Sequence, residues 1–310
     1  MVRPQVVTHV LVPVLSAAVV WAAETQRPFD ALLPAIGGVA PGTYVVNGST
    51  LVPVPEANRI PVLLQADVLR GPEQPARVGV VVGAQSPEAG DVRLRVSRVA
   101  GAGEPARVMA DAGGALAVGP TRLAREITLP PGEYELEAVL GDSRPGVGLV
   151  AVTRSRLQVP DLRADSLAVT PIVVGEAGTA TGQANMPFVF GQTTLTPALD
   201  GRHPQSGSIS VAFRVYNWAA GPGEKPDLTV EYLFYEQGKK GLHFFNKVKP
   251  QQLNAASLGQ AFDASAGSVA AGMMIPLRAF TFGEFQLTVR VTDNRNQRSA
   301  EQQARFTVAP

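Results

Sequence analysis

The chain contains no cysteine. Structural disulfides, thiolate-ligated zinc, a thiol nucleophile and a thiol-borne lipid anchor are therefore excluded together. Histidine is scarce: there are 3 in 310 residues, and only His203 and His243 fall after residue 23. Neither stands near a Ser or Asp constellation, and no Gly-x-Ser-x-Gly elbow or His-Glu-x-x-His helix occurs. The usual sequence handles of hydrolytic chemistry are thus missing, and no metal or cofactor motif replaces them. Charge of one sign is missing too. Residues 1–160 carry 14 Arg against 14 acids, and residues 161–310 carry 8 Arg and 5 Lys against 12 acids, so neither half has the basic excess of a nucleic-acid binder. Beyond residue 23 no segment sustains a capped helical period, while 31 Gly and 26 Pro favour short strands and turns.

What is present is repetition. Gly132-Glu133-Tyr134-Glu135-Leu136, with Asp142 following and a close at Leu157-Gln158-Val159-Pro160, returns as Gly283-Glu284-Phe285-Gln286-Leu287, Asp293 and Phe306-Thr307-Val308-Ala309-Pro310. The offset is 151 residues at the glycine and 149 at the closing valine. Tyr134, Leu136, Ala138 and Leu140 alternate with Glu133, Glu135 and Glu137, and Phe285, Leu287, Val289 and Val291 alternate with Gln286, Thr288 and Arg290. That period of two is the mark of a strand covering one side of a core. The aromatic just inside each strand matches the corner tyrosine of immunoglobulin-like sandwiches, although Phe285 lacks the hydroxyl for the corner hydrogen bond.

In the first half, strands are expected at Val62 to Leu69, Arg77 to Gly83, Val92 to Val99, Ala106 to Ala110, Arg122 to Leu129, Tyr134 to Leu140 and Leu149 to Val159. Strands at this spacing predict an immunoglobulin-like or fibronectin-like sandwich over residues 60–160, with a junction at Val159-Pro160-Asp161. Residues 161–310 predict a larger sandwich with a separately folding core; they hold 15 of the 19 aromatics. Its extra length is assigned to two loop-like insertions, Gly175 to Pro187 and Pro250 to Gly272.

The N-terminus decides the compartment. Arg3 precedes an apolar run from Val6 to Val20 that exits through Trp21-Ala22-Ala23-Glu24, where small residues suit signal-peptide cleavage. Residues 1–23 are read as a cleaved export signal, with a retained membrane anchor as the alternative. Residues 24–59 form an extension in which Thr43-Tyr44-Val45-Val46, Asn47-Gly48 and Ser49 to Val54 spell a hairpin, since Asn-Gly suits a type I′ turn. Such a hairpin must pack on its own module or on a neighbouring subunit.

Several features invite a chemical reading. All five lysines lie between Lys225 and Lys249, beside Tyr232, Tyr235, Phe244 and Phe245. Lys239, Lys240, Lys247 and Lys249 could grip an anionic glycan or single-stranded nucleic acid, aromatics stacking and lysines meeting charge. The preferred alternative is a hairpin with aromatics facing the core and lysines keeping its tip soluble, because Glu224, Asp227, Glu231 and Glu236 offset the charge. Arg93, Arg95 and Ser97 share one strand face and read as a solvated surface rather than a docking stripe. Gly101-Ala102-Gly103-Glu104-Pro105-Ala106 mimics a dinucleotide fingerprint, but Pro105 stands where the helix should begin. Asp293-Asn294-Arg295-Asn296 lacks the bidentate Glu of a calcium loop and reads as a hairpin turn.

The string Leu129-Pro130-Pro131-Gly132-Glu133-Tyr134-Glu135-Leu136, and Ile275-Pro276-Leu277 leading to Phe282-Gly283-Glu284-Phe285-Gln286-Leu287-Thr288-Val289 with Thr292-Asp293, resembles the Ig-like tail modules of large secreted bacterial proteins. Some of those carry von Willebrand factor A or GWxTD-type domains upstream. The resemblance implies a fold and an extracytoplasmic setting, and no activity. The sequence thus predicts an all-β protein of two tandem immunoglobulin-like sandwiches with an N-terminal extension. It is expected to act as an exported structural or assembly subunit that is not an enzyme, has protein or self-assembly partners, and touches a membrane only if residues 1–23 are retained. An extracellular glycan- or protein-binding module is the alternative.

Overall fold

The computed structural model describes residues 36, 38–47, 50–70, 75–100, 107–141, 148–180, 186–220, 224–260, 262 and 267–310. The readings of residues 1–23 and 101–106, and Asp142 of the first repeat, lie outside these. Within them the protein is all-β, built from several antiparallel sheets.

The first half contains β1 (Gly42–Asn47), β2 (Thr50–Pro53), β3 (Val62–Leu69), β4 (Ala76–Ser86), β5 (Gly90–Arg98), β6 (Arg107–Leu116), β7 (Gly119–Leu129), β8 (Gly132–Gly141) and β9 (Leu149–Val159). One sheet runs β3-β4-β7 and the other β2-β1-β9-β8-β5-β6. They close on one another because alternate residues of each are apolar: Val78, Val80 and Val82 of β4 share a core with Val92, Leu94 and Val96 of β5 and Tyr134, Leu136, Ala138 and Leu140 of β8.

The second half contains β10 (Ala168–Val169), β11 (Val173–Thr179), β12 (Val189–Phe190), β13 (Thr193–Thr196), β14 (Arg202–Pro204), β15 (Ser208–Tyr216), β16 (Leu228–Gly238), β17 (Gly241–Lys247), β18 (Gln251–Leu253), the single-turn helix α1 (Ala255–Leu258), β19 (Ser268–Pro276), β20 (Gly283–Asp293) and β21 (Arg298–Ala309). Strand β15 lies between β11 and β19, and β21-β20-β16-β17 forms the facing sheet. Ile209, Val211 and Phe213 meet Val230, Tyr232, Phe234, Leu287 and Val289 in its core. The order β11-β15-β19 repeats β3-β4-β7, and β21-β20-β16-β17 repeats β9-β8-β5-β6.

The duplicated string occupies the same place in both halves. Gly132 pairs with Val159 and Gly283 with Val308, at φ of 153° and 150°. Both glycines open the strand from a backbone conformation that a side chain disfavours. Tyr134 donates its hydroxyl to the Pro130 carbonyl at 2.7 Å, while Phe285 fills the matching position by stacking on Phe306 at 5.6 Å between ring centroids.

Two expectations need correction. The segment Gly175 to Pro187 is a loop only in part, because β11 extends to Thr179 and pairs with β13 to form a ribbon. The segment Pro250 to Gly272 contains β18, α1 and the start of β19, whose Val269 and Ala271 are buried in the core. Alanine, glycine and serine in Ser268 to Gly272 gave little β signal, and pairing to β15 over its whole length overrides that weakness.

The extension docks on its own chain. Strand β1 pairs with β9, from Gly42↔Val152 to Val45↔Leu149, and Ile36, Tyr44 and Val46 cover Val139, Val150 and Val152. Tyr44 donates to the Ala40 carbonyl at 2.6 Å, repeating the i−4 bond of Tyr134.

Candidate functional site

The lysine-bearing hairpin resolves into two faces. Gly238 pairs with Gly241, so the turn is the two residues Lys239 and Lys240. Tyr232 and Phe234 point into the core, and burial pushes the Tyr232 phenol far above its ordinary range. Tyr235 and Phe244 instead face outward in an edge-on pair at 5.8 Å, and Phe244 is 55% exposed. Lys239, Lys240, Lys247 and Lys249 are all exposed, and among the described residues none has a carboxylate partner. His243 meets Glu236 at 3.1 Å, and the other oxygen of Glu236 accepts from the Thr281 hydroxyl at 2.7 Å. Core-facing and outward-facing aromatics thus coexist on one hairpin.

Other singled-out residues have structural duties. Arg93 and Arg95 converge on Asp111 across β5 and β6, with Nε to oxygen distances of 2.5 and 3.4 Å. Partial burial pushes the Asp111 carboxyl up, but the two guanidiniums overcome it and hold the group below its usual range. Asp293 is fully buried and accepts from the amides of Ala219 at 2.5 Å and Arg295 at 3.0 Å, fixing the β20–β21 turn. His203 is buried on β14 among groups that do not compensate its charge, and desolvation lowers its pKa against weaker opposition from Asp200 and Glu176. Among the described residues no group of three or more His, Cys, Asp or Glu is placed to hold a metal, and no helix is long and apolar enough to cross a membrane.

The most organised polar chemistry lies where the two halves meet. The outer face of β3-β4 is covered by the second half: Val81 packs with Val173, Phe188, Phe190, Leu195 and Ala212. A Cβ on Gly79 would fall 2.2 Å from Pro187, so only glycine permits this approach. Within the seam, one guanidinium nitrogen of Arg214 donates to both oxygens of Asp67 at 2.7 and 2.8 Å, with the side chains 6% and 0% exposed. Phe188 donates its amide to the same carboxylate at 2.7 Å, from a left-handed backbone with φ of 62°. Burial pushes the Asp67 carboxyl up, and Arg214 and the Phe188 amide pull it back. The Arg214 guanidinium also donates to the Val189 carbonyl and lies 4.3 Å from the centre of the Phe190 ring. Beside it the Gln65 amide pairs with both backbone groups of Val174, at 3.1 and 3.2 Å, in the manner of a ladder residue.

At one end of this seam opens a cleft of about 540 Å³, lined by Arg70, Arg163, Ala164, Asp165, Asn217, Trp218, Ala219, Asn296 and Arg298. Asn217 adopts φ of 60° and knits the wall together, donating to the carbonyls of Asp161 and Ser166 and accepting from Arg70. Sequence reasoning named none of Gln65, Asp67, Arg70, Arg214 or Trp218 as site residues. One signal was available: Val78-Gly79-Val80-Val81-Val82 is apolar on both strand faces, which marks a sheet covered on both sides.

No family model matches the chain, and no curated protein matches it. Among solved structures it is similar to the crystal structure of red sea bream transglutaminase, at 8% identity and a TM-score of 0.25, with 80% of this chain and 31% of that one covered. That neighbour is an enzyme, so the sequence-level exclusion of catalysis is corrected and withdrawn, although a likeness this distant carries no argument for an activity.

Proposed function

We propose that the chain is a pair of immunoglobulin-like sandwiches of one topology, fastened into a single body, that serves outside the cytoplasm as a structural or assembly subunit and acts through its outer surfaces. The observation that carries this reading is the seam between the halves. Tandem modules keep relative motion unless their interface is extensive and apolar. Here the outer face of β3 and β4 in the first half lies against the second, locked by the buried Asp67–Arg214 pair. A fixed angle between modules serves a protein whose task is to hold geometry.

The test is to fractionate producing cells, isolate the chain under mild cross-linking and measure its native mass. Recovery outside the cytoplasm in a particle well above the 32.5 kDa of one chain supports the proposal. A monomer in every fraction, or a cytoplasmic location, overturns it. A second reading, binding of an acidic glycan, rests on the outward Tyr235–Phe244 pair beside Lys239, Lys240, Lys247 and Lys249. Substituting these lysines by glutamine and losing retention on a heparin column would favour it.

A further inference from the structure

The cleft at the end of the seam gathers an excess of positive charge. Arg70, Arg163 and Arg298 line it together with a single carboxylate, Asp165. The lining as a whole comes from four places in the chain: the end of β3, the connection after β9, the exit of β15 and the β20–β21 turn. Among the described residues the Arg70 guanidinium donates to the Leu162 carbonyl and to Asn217 Oδ1 at 2.8 Å, and Arg298 Nη1 donates to the Asp165 carbonyl at 2.8 Å. Amide oxygens of this kind satisfy donors but bring no negative charge. Among the described residues the Arg70 Nε, sealed from solvent, has no acceptor. Burial holds the Arg70 guanidinium below its ordinary range; Tyr216 opposes this, and the like charge of Arg163 adds to it. Like charges held together at a cost, in a concavity of ligand size, are what an anion would relieve.

The geometry points to a binding site for a small oxyanion, a phosphate or carboxylate group, recognised by the planar donors of Arg163 and Arg298 with Asn217 and Asn296 beside them and the Trp218 indole as one wall. Guanidinium forks match both oxyanions in shape, and charge-assisted bonds of this kind are the strong ones. Since the lining comes from both halves, an occupant would also tie them together. A structural body needs no such concavity, so this goes beyond the function proposed above.

The test uses the full chain carrying Trp21→Phe, which leaves Trp218 as its one indole. Inorganic phosphate and citrate are titrated separately at ionic strength held constant with sodium chloride, following indole fluorescence and the thermal midpoint. A saturable fluorescence change with a parallel rise in midpoint is expected, because a ligand of the folded state alone stabilises it. The anion that saturates at lower concentration distinguishes a phosphate site from a carboxylate site. Arg163→Gln with Arg298→Gln, both on exposed positions, should weaken that binding at least about tenfold, or about 1.4 kcal/mol, while circular dichroism stays unchanged. No saturation with either anion, an equal response to chloride, or undiminished binding in the double variant would each overturn the site.

Discussion

Replacing Arg214 by methionine would leave the Asp67 carboxylate, with no exposed side-chain surface, facing the seam without its counter-charge. Removing one partner of a buried pair costs about 3–5 kcal/mol, and that loss is expected for Arg214→Met at pH 7.5 in urea unfolding. The pH dependence identifies the cause. Without Arg214, burial is opposed only by backbone amides such as that of Phe188, and it raises the folded-state pKa of Asp67 further above the unfolded value of about 3.9. A raised carboxyl pKa gives stability that is present below that value and lost as pH rises through the folded one. The gap between wild type and variant should therefore narrow as pH falls toward 4.5, and a gap independent of pH would show that lost packing is responsible. His203 works with the opposite sign. Its pKa is lowered by burial, so stability is full above the unfolded histidine value of about 6.5 and is lost as pH falls below it. His203→Leu should flatten the decline between pH 7 and 5, and an unchanged slope would assign that decline to other groups. Gly132→Ala and Gly283→Ala should each cost about 1–3 kcal/mol, because their φ of 153° and 150° disfavours any side chain. These glycines were legible in the sequence, since the Gly-Glu-aromatic-x-Leu string sits beside the turn that needs them. Asp67 and Arg214 were not, because 147 residues separate partners that no local pattern connects.

At the scale of elements, legibility followed side-chain alternation. Val62–Leu69 and Leu149–Val159 run between the residues expected, each with an apolar stripe and a clear stop. Strand β19 was hidden because Ser268 to Gly272 offers small side chains whose strand state is imposed by β15. The first corner tyrosine also had a visible echo: Pro41-Gly42-Thr43-Tyr44 repeats Pro131-Gly132-Glu133-Tyr134, and the two hydroxyls make the same i−4 bond. The extension is therefore an added edge hairpin with a corner of its own. Deleting residues 24–59 should uncover Val139, Val150 and Val152 and leave the β9 backbone as a bare edge. The expected result is lower stability with self-association in light scattering, as exposed β9 edges pair between copies. A stable monomer after deletion would mean that the edge is protected in some other way.

Across the whole molecule, the two halves share more than a connection. Leu162, Ala168 and Tyr216, all beyond the expected boundary, pack into the core of the first half, and Arg70 donates its amide to the Tyr216 hydroxyl at 3.2 Å. The sequence predicts two cores that fold separately; the packing shows two cores that lean on each other across β3 and β4. A fragment of residues 162–310 would keep its own aromatic centre, including Phe234, Phe280, Phe285 and Phe306. It would also present Val173, Phe188, Phe190 and Leu195 to water where β4 now covers them. Burial of apolar surface is worth about 25 cal/mol per Å², so losing that cover removes stability without removing the fold. The fragment should therefore show β-type circular dichroism with a midpoint well below that of the full chain, and the full chain carrying Trp21→Phe should unfold in a single transition seen alike by Trp218 fluorescence and far-ultraviolet dichroism. Adding a separate fragment of residues 36–160 should raise the midpoint of 162–310, since the seam can re-form between them. Two resolved transitions in the full chain, the later one matching the isolated fragment, would mean that the seam contributes nothing to stability.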